Sequence, residues 1–174
     1  MLENNNKYNL LKIFLDNPTE SFRLRELSRM SKISPPSVIN YLKEFIKQKL
    51  VNKYEKRGIP FYKAERDNKD FKEYKKLSIL FELNKSRIID YLWDKLSPDV
   101  IVLFGSFSKG ESIENSDIDL FVQASERKIN LSNYEKNFGR EINLFLEENF
   151  SRLSKELKNN ILNGIILRGY LKVF

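Results

Sequence analysis

The sequence contains no cysteine and no histidine. The first absence excludes disulfides, a thiolate nucleophile and a zinc knuckle; the second excludes a Ser-His-Asp triad, an imidazole base and an imidazole metal ligand. Chemistry in this chain must therefore run on carboxylates, hydroxyls, amines and bound metal. Long apolar runs are also missing: none approaches the ~20 residues that a bilayer requires. The N-terminus, Met1-Leu2-Glu3-Asn4-Asn5-Asn6-Lys7, carries no basic segment followed by an apolar stretch, so no secretory signal and a cytoplasmic location are the expectation. Glycine and proline are sparse, at 6 and 5 residues, while 41% of the chain is hydrophobic and 32% charged. That profile belongs to a globular protein, and 174 residues suffice for one large domain or two small ones.

The formal charge of +7 is unevenly placed. Residues 1–66 hold 14 Lys and Arg against 7 Asp and Glu, residues 67–97 hold 7 against 6, and residues 98–174 hold 10 against 11. A basic first third joined to a nearly neutral remainder points to one part that meets a polyanion and another with a different task. In the basic part, Tyr8, Leu10, Leu11, Phe14 and Leu15 recur at helical spacing before Asn17-Pro18. Phe22-Arg23-Leu24 reads as a short strand and Arg25 to Met30 as a second helix, followed by a turn through Ser31-Lys32-Ile33. Ser34 is a candidate N-cap, with Pro35-Pro36 suiting the first turn of a third helix that reaches Gln48. Val38, Tyr41, Leu42, Phe45 and Ile46 form its inner stripe. Leu50–Glu55 and Pro60–Ala64 read as two strands joined across Lys56-Arg57-Gly58-Ile59.

Three helices followed by a basic-tipped hairpin, from Leu10 to Ala64, resemble the winged helix-turn-helix domains of bacterial and archaeal regulators. The resemblance implies that Ser37, Asn40, Lys43 and Lys47 enter a major groove of DNA, and that Lys56 and Arg57 on the wing reach phosphates or a minor groove. Because winged helices commonly bind paired half-sites, a homodimer is a further expectation. Winged helices also serve as protein-docking modules, and the localised charge favours nucleic acid over that alternative.

Residues 67–97 carry Leu, Ile and aromatic residues at helical spacing, interrupted at Asn84-Lys85-Ser86. They predict two helices, or one bent helix, connecting two domains. After Ser97-Pro98, the run Val100-Ile101-Val102-Leu103-Phe104 predicts a buried strand that ends at Gly105-Ser106. Ser116–Val122 predicts a second strand, whose alternation places Asp117 and Asp119 on one face. Adjacent carboxylates repel. Beside a Gly-Ser turn at a sheet end, the economical reason for them is a divalent cation, Mg²⁺, holding phosphate, with the glycine admitting close approach and the Ser106 hydroxyl donating to it. Further on, Ser132 is a candidate cap for a helix ending at Gly139, a helix is expected from Phe150 to Asn163 ahead of Gly164, and Ile165–Phe174 reads as a last strand.

The text Leu103-Phe104-Gly105-Ser106-Phe107-Ser108-Lys109-Gly110-Glu111, followed by Asn115-Ser116-Asp117-Ile118-Asp119-Leu120, resembles the nucleotidyltransferase superfamily that includes polymerase beta, and within it the small single-domain branch often called minimal nucleotidyltransferases. The resemblance implies an α/β (α+β) fold with a mixed sheet flanked by helices over residues 98–174, behind a winged helix over 1–66 and a helical linker over 67–97. It implies that Gly105, Ser106, Lys109 and Ser116 bind the nucleotide and that Asp117 and Asp119 hold two Mg²⁺ ions, with ATP or another NTP as substrate and a hydroxyl as acceptor. The family's third carboxylate belongs on a later strand. Here that strand is Glu141–Leu146, and its matching position is Asn143, with Glu141 two residues away on the same face. This departure leaves open a DNA-binding regulator with a degenerate, nucleotide-binding transferase domain, and the resemblance itself implies a further reading, an antitoxin-type protein paired with a separate helical toxin.

Overall fold

The computed structural model describes residues 5–173. Met1–Asn4, part of the N-terminal segment considered above, and Phe174, the end of the expected last strand, lie outside them. The chain is an α+β protein of two compact units, Met1–Ser78 and Ile79–Phe174. Their division falls inside a helix, within the segment 67–97. No helix among the described residues is long and apolar enough to cross a membrane.

The first unit opens with α1 (Asn6–Asp16), capped by Asn5, whose side chain accepts the Tyr8 N–H at 3.0 Å. A two-residue strand β1 (Ser21–Phe22) leads into α2 (Leu24–Ser31), and Lys32 turns the chain in the left-handed region at φ 57°. Next comes α3 (Pro35–Lys47). Ser34 stands at its N-cap in extended backbone, yet its hydroxyl bonds the Ser37 hydroxyl at 3.0 Å and caps no N–H. Pro36 removes the N2 donor, one of the two that a capping oxygen uses, and the hydroxyl turns to the Ser37 side chain instead of the Ser37 N–H. Strands β2 (Val51–Lys56) and β3 (Ile59–Ala64) form a hairpin, and with β1 they make an antiparallel sheet in the order β1-β3-β2. The hairpin turns on Arg57 and Gly58, both at positive φ, as a two-residue loop requires. Leu10, Phe14, Leu27, Val38, Leu42, Phe45 and Leu50 fill the core between helices and sheet. Of the expected inner stripe of α3, Tyr41 and Ile46 are only partly buried.

Helix α4 (Lys69–Lys85) and α5 (Ile88–Leu96) follow, separated at Ser86 and Arg87, with Arg87 at φ 63°. The second unit contains a four-stranded mixed sheet in the order β6-β5-β4-β7. Its strands are β4 (Val100–Phe104), β5 (Ile118–Val122), β6 (Ile142–Leu146) and β7 (Ile165–Gly169), with β5 and β6 parallel and β4 antiparallel to both its neighbours. Alternation along β4 serves two cores. Ile101 and Leu103 join Leu83, Ile88, Leu92, Ile118 and Leu120 on one face, while Val100, Val102 and Phe104 join Phe121, Phe150 and Ile161 on the other.

Several expectations shift: the short strand expected over Phe22–Leu24 is Ser21–Phe22, because Leu24 already opens α2. Strand β5 begins at Ile118, so Asp117 lies in the turn ahead of it. Ser132 is the first residue of α7 (Ser132–Phe138) and not its cap, because the Asn130 side chain already accepts the Ser132 N–H at 3.0 Å. The expected helix over 150–163 is a single 3-10 turn (Phe150–Arg152) and then α8 (Lys155–Leu162). Leu153 and Ser154 are extended between them, and the Ser154 hydroxyl accepts the Leu157 N–H as the true cap. Finally, β7 stops at Gly169 (φ 87°), where an added Cβ would lie 2.1 Å from the Asp99 carbonyl oxygen.

Candidate active site

Strand β4 delivers Gly105 to one end of the second sheet, and α6 (Gly105–Lys109) starts there. Gly105 has φ 71°, and a Cβ built on it would stand 2.2 Å from Asp119 Oδ2. The glycine is thus required twice, by its backbone conformation and by the carboxylate packed on it. The Ser108 hydroxyl donates to the Gly105 carbonyl at 2.9 Å and fixes the turn. Ser106 is half-buried beside it, and Lys109 is exposed at the end of α6.

Three strands contribute adjacent positions by register: Phe104 opposite Asp119, and Asp119 opposite Asn143. Asp117 and Asp119 are both half-buried. Asn143 Nδ2 donates to Asp119 Oδ1 at 3.0 Å and, more loosely, to Asp117 Oδ2 at 3.4 Å. One neutral amide therefore joins two carboxylates that would otherwise repel at close range. Glu141 precedes β6, exposed, and its main-chain carbonyl accepts the Ile118 N–H. Among the described residues no group of three Asp or Glu side chains is placed to hold a metal ion. The donor set still fits a divalent cation. Two hard carboxylates accept from the same amide at one end of the sheet, and the missing Cβ of Gly105 makes the space that Asp119 Oδ2 occupies.

Arg140 belongs to the same region, and no sequence pattern marked it. Its Nη1 donates to the carbonyls of Ile113 (2.8 Å), Glu114 (2.5 Å) and Ser116 (3.0 Å), and its guanidinium lies 5.3 Å from the centre of the Phe107 ring. It ties the turn ahead of Asp117 to α6 and to the start of β6. Nothing in the local text announces this, since these three carbonyls lie 24 or more residues away in the chain. Ser116 adds to the same turn, its hydroxyl accepting the Ile113 N–H at 2.8 Å.

The positions expected to face DNA all lie in the first unit. Asn40, Lys43 and Lys47 are exposed on α3; Ser37 is half-buried with its hydroxyl engaged by Ser34. Glu44, on the same helix, pairs with Lys7. Lys56 ends β2 and Arg57 occupies the hairpin turn, both exposed.

Residues 86–170 match the family model described as polymerase beta, nucleotidyltransferase. Gly105, Ser106, Lys109, Asp117, Asp119 and Asn143 all fall inside the matched segment, and nucleotidyl transfer in general is the activity that the match indicates. No curated protein and no solved structure matches the chain.

Proposed function

We propose that the second unit binds an NTP with a divalent cation, Mg²⁺, and transfers its nucleoside monophosphate, AMP from ATP, to a hydroxyl acceptor. The observation that carries this reading is the pairing of Asp117 and Asp119 on one amide, with Asp119 packed on Gly105, within the segment similar to nucleotidyltransferases. Asp117 and Asp119 would hold the cation, which when bound supplies positive charge to the triphosphate and favours loss of the acceptor proton. The chain's own groups do the rest. Gly105 lets the backbone approach phosphate closely, and the Ser106 hydroxyl and Lys109 ammonium supply donors to it. Asn143 orders the carboxylate pair before substrate arrives. The first unit, read as a winged helix, would bring this site to DNA through Asn40, Lys43 and Lys47 on α3 and through Lys56 and Arg57.

A second reading is favoured by Asn143 itself. Where the family places a carboxylate able to take the acceptor's proton, this chain has an amide that donates hydrogen bonds and has no basic site at neutral pH. The alternative is a DNA-binding regulator that binds nucleotide without turning it over. A pyrophosphate-release assay on the wild type and on Asn143→Asp separates the two. Release by the wild type, abolished in Asp117→Asn, establishes the transferase. Release by Asn143→Asp alone establishes the nucleotide-binding regulator.

A further inference from the structure

The hairpin of the first unit has two faces with different compositions. Val51 pairs with Ala64 and Lys53 with Tyr62; Val51, Tyr62 and Ala64 are buried, so this face turns to the core. The alternate pairs, Asn52 with Lys63, Tyr54 with Phe61 and Lys56 with Ile59, share the outward face. On that face the Tyr54 and Phe61 rings stack with centroids 5.8 Å apart and planes 19° from parallel. The Arg23 guanidinium, from the N-cap of α2, sits 5.1 Å from the centre of the Phe61 ring. Tyr54 is nevertheless 40% exposed. Lys63 and Lys56, both exposed, lie one pair to either side of the aromatic pair, about 6–7 Å along the strands. The hairpin's acidic residue, Glu55, alternates onto the opposite face.

A cross-strand aromatic pair stabilises a hairpin by itself, but that role needs neither an exposed ring nor three cations around it. Together they supply what a flexible polyanion with unpaired bases requires: a flat π-surface for a base and positive charge for the adjoining phosphates. A duplex offers such a surface its phosphates but no free base face, because its bases are stacked on each other. We propose that this outer face binds single-stranded nucleic acid, one base stacking on Tyr54 while Phe61 and Arg23 back the pair and Lys56 and Lys63 meet the flanking phosphates. The site is separate from the α3 residues assigned to duplex DNA, shares only Lys56 with the positions assigned to it, and rests on reading the first unit as a nucleic-acid-binding module.

The test is fluorescence anisotropy of the full chain with a short labelled thymidine oligonucleotide and, separately, with a mixed-sequence duplex. The proposal expects salt-dependent binding of the oligonucleotide. It expects Tyr54→Ala to weaken that binding roughly 5- to 100-fold and Tyr54→Phe to preserve it within about twofold. Duplex binding stays unchanged in both variants. Tyr54→Ile, which keeps strand propensity and removes only the ring, must behave as Tyr54→Ala does, with a wild-type melting temperature. Duplex binding without oligonucleotide binding overturns this proposal alone, as does an oligonucleotide affinity indifferent to Tyr54→Ile. Binding of neither probe overturns it together with the nucleic-acid reading of the unit.

Discussion

At the scale of single residues, the site depends most on a side chain that is missing. Any Cβ at position 105 meets Asp119 Oδ2 at 2.2 Å and also imposes a left-handed conformation on a residue that disfavours it. Gly105→Ala is therefore expected to displace the Asp119 carboxylate and weaken Mg²⁺-dependent ATP binding by about tenfold or more, a change of at least ~1.4 kcal/mol measurable by calorimetry. An unchanged affinity would show that the carboxylate position is unimportant. This part of the site was legible in the sequence, because Gly105-Ser106 and the Asp117, Asp119 pair are short local texts whose chemistry depends on spacing alone. The Asn143 departure was legible for the same reason. What the text could not give was the direction of the amide, which faces both carboxylates and joins them.

At the scale of elements, the segment between α6 and β5 holds Asp117 in place, and Arg140 holds the segment. Its Nη1 serves three carbonyls in a turn that lacks regular secondary structure. Arg140→Met removes these charge-assisted bonds and leaves the carbonyls to water; a loss of ~2–3 kcal/mol is expected by urea denaturation, with faster amide exchange at residues 113–117. Arg140→Lys keeps the charge without the planar fork and should fall between. Equal stability of all three proteins would contradict this role. Such long-range contacts to main-chain oxygen leave no periodic trace, which is why the elements were legible and their fastenings were not. Boundaries failed for related reasons. The 150–163 stretch has helical spacing throughout, yet burial of Phe150 against Phe121 and the cap at Ser154 divide it. In α3 the prolines that signalled a helix start also removed one of the two donors that Ser34 could cap.

At the scale of the whole molecule, positive charge is concentrated in the first 66 residues, and the carboxylate site lies in the other unit. The asymmetry was plain from counting. The division inside α4 was not, because apolar residues continue along that helix without a break, with Phe71 in the first core and Ile79 and Leu83 in the second. If the first unit meets duplex DNA through lysine and arginine, affinity must fall steeply with salt as counterions are released, the logarithmic slope approaching about −0.9 for each phosphate neutralised. Removing Lys43 and Lys47 together should flatten that slope by up to about two. A slope near zero in the wild type would contradict the assignment.

The proposed activity requires that Asp117 and Asp119 hold a cation that holds a nucleotide. It is tested most directly by calorimetric titration of ATP into the protein with Mg²⁺ and with EDTA, repeated on Asp117→Asn/Asp119→Asn. Binding should require Mg²⁺ and be lost in the double variant while its melting temperature stays close to that of the wild type. Binding that persists in EDTA, or that survives loss of both carboxylates, would contradict it.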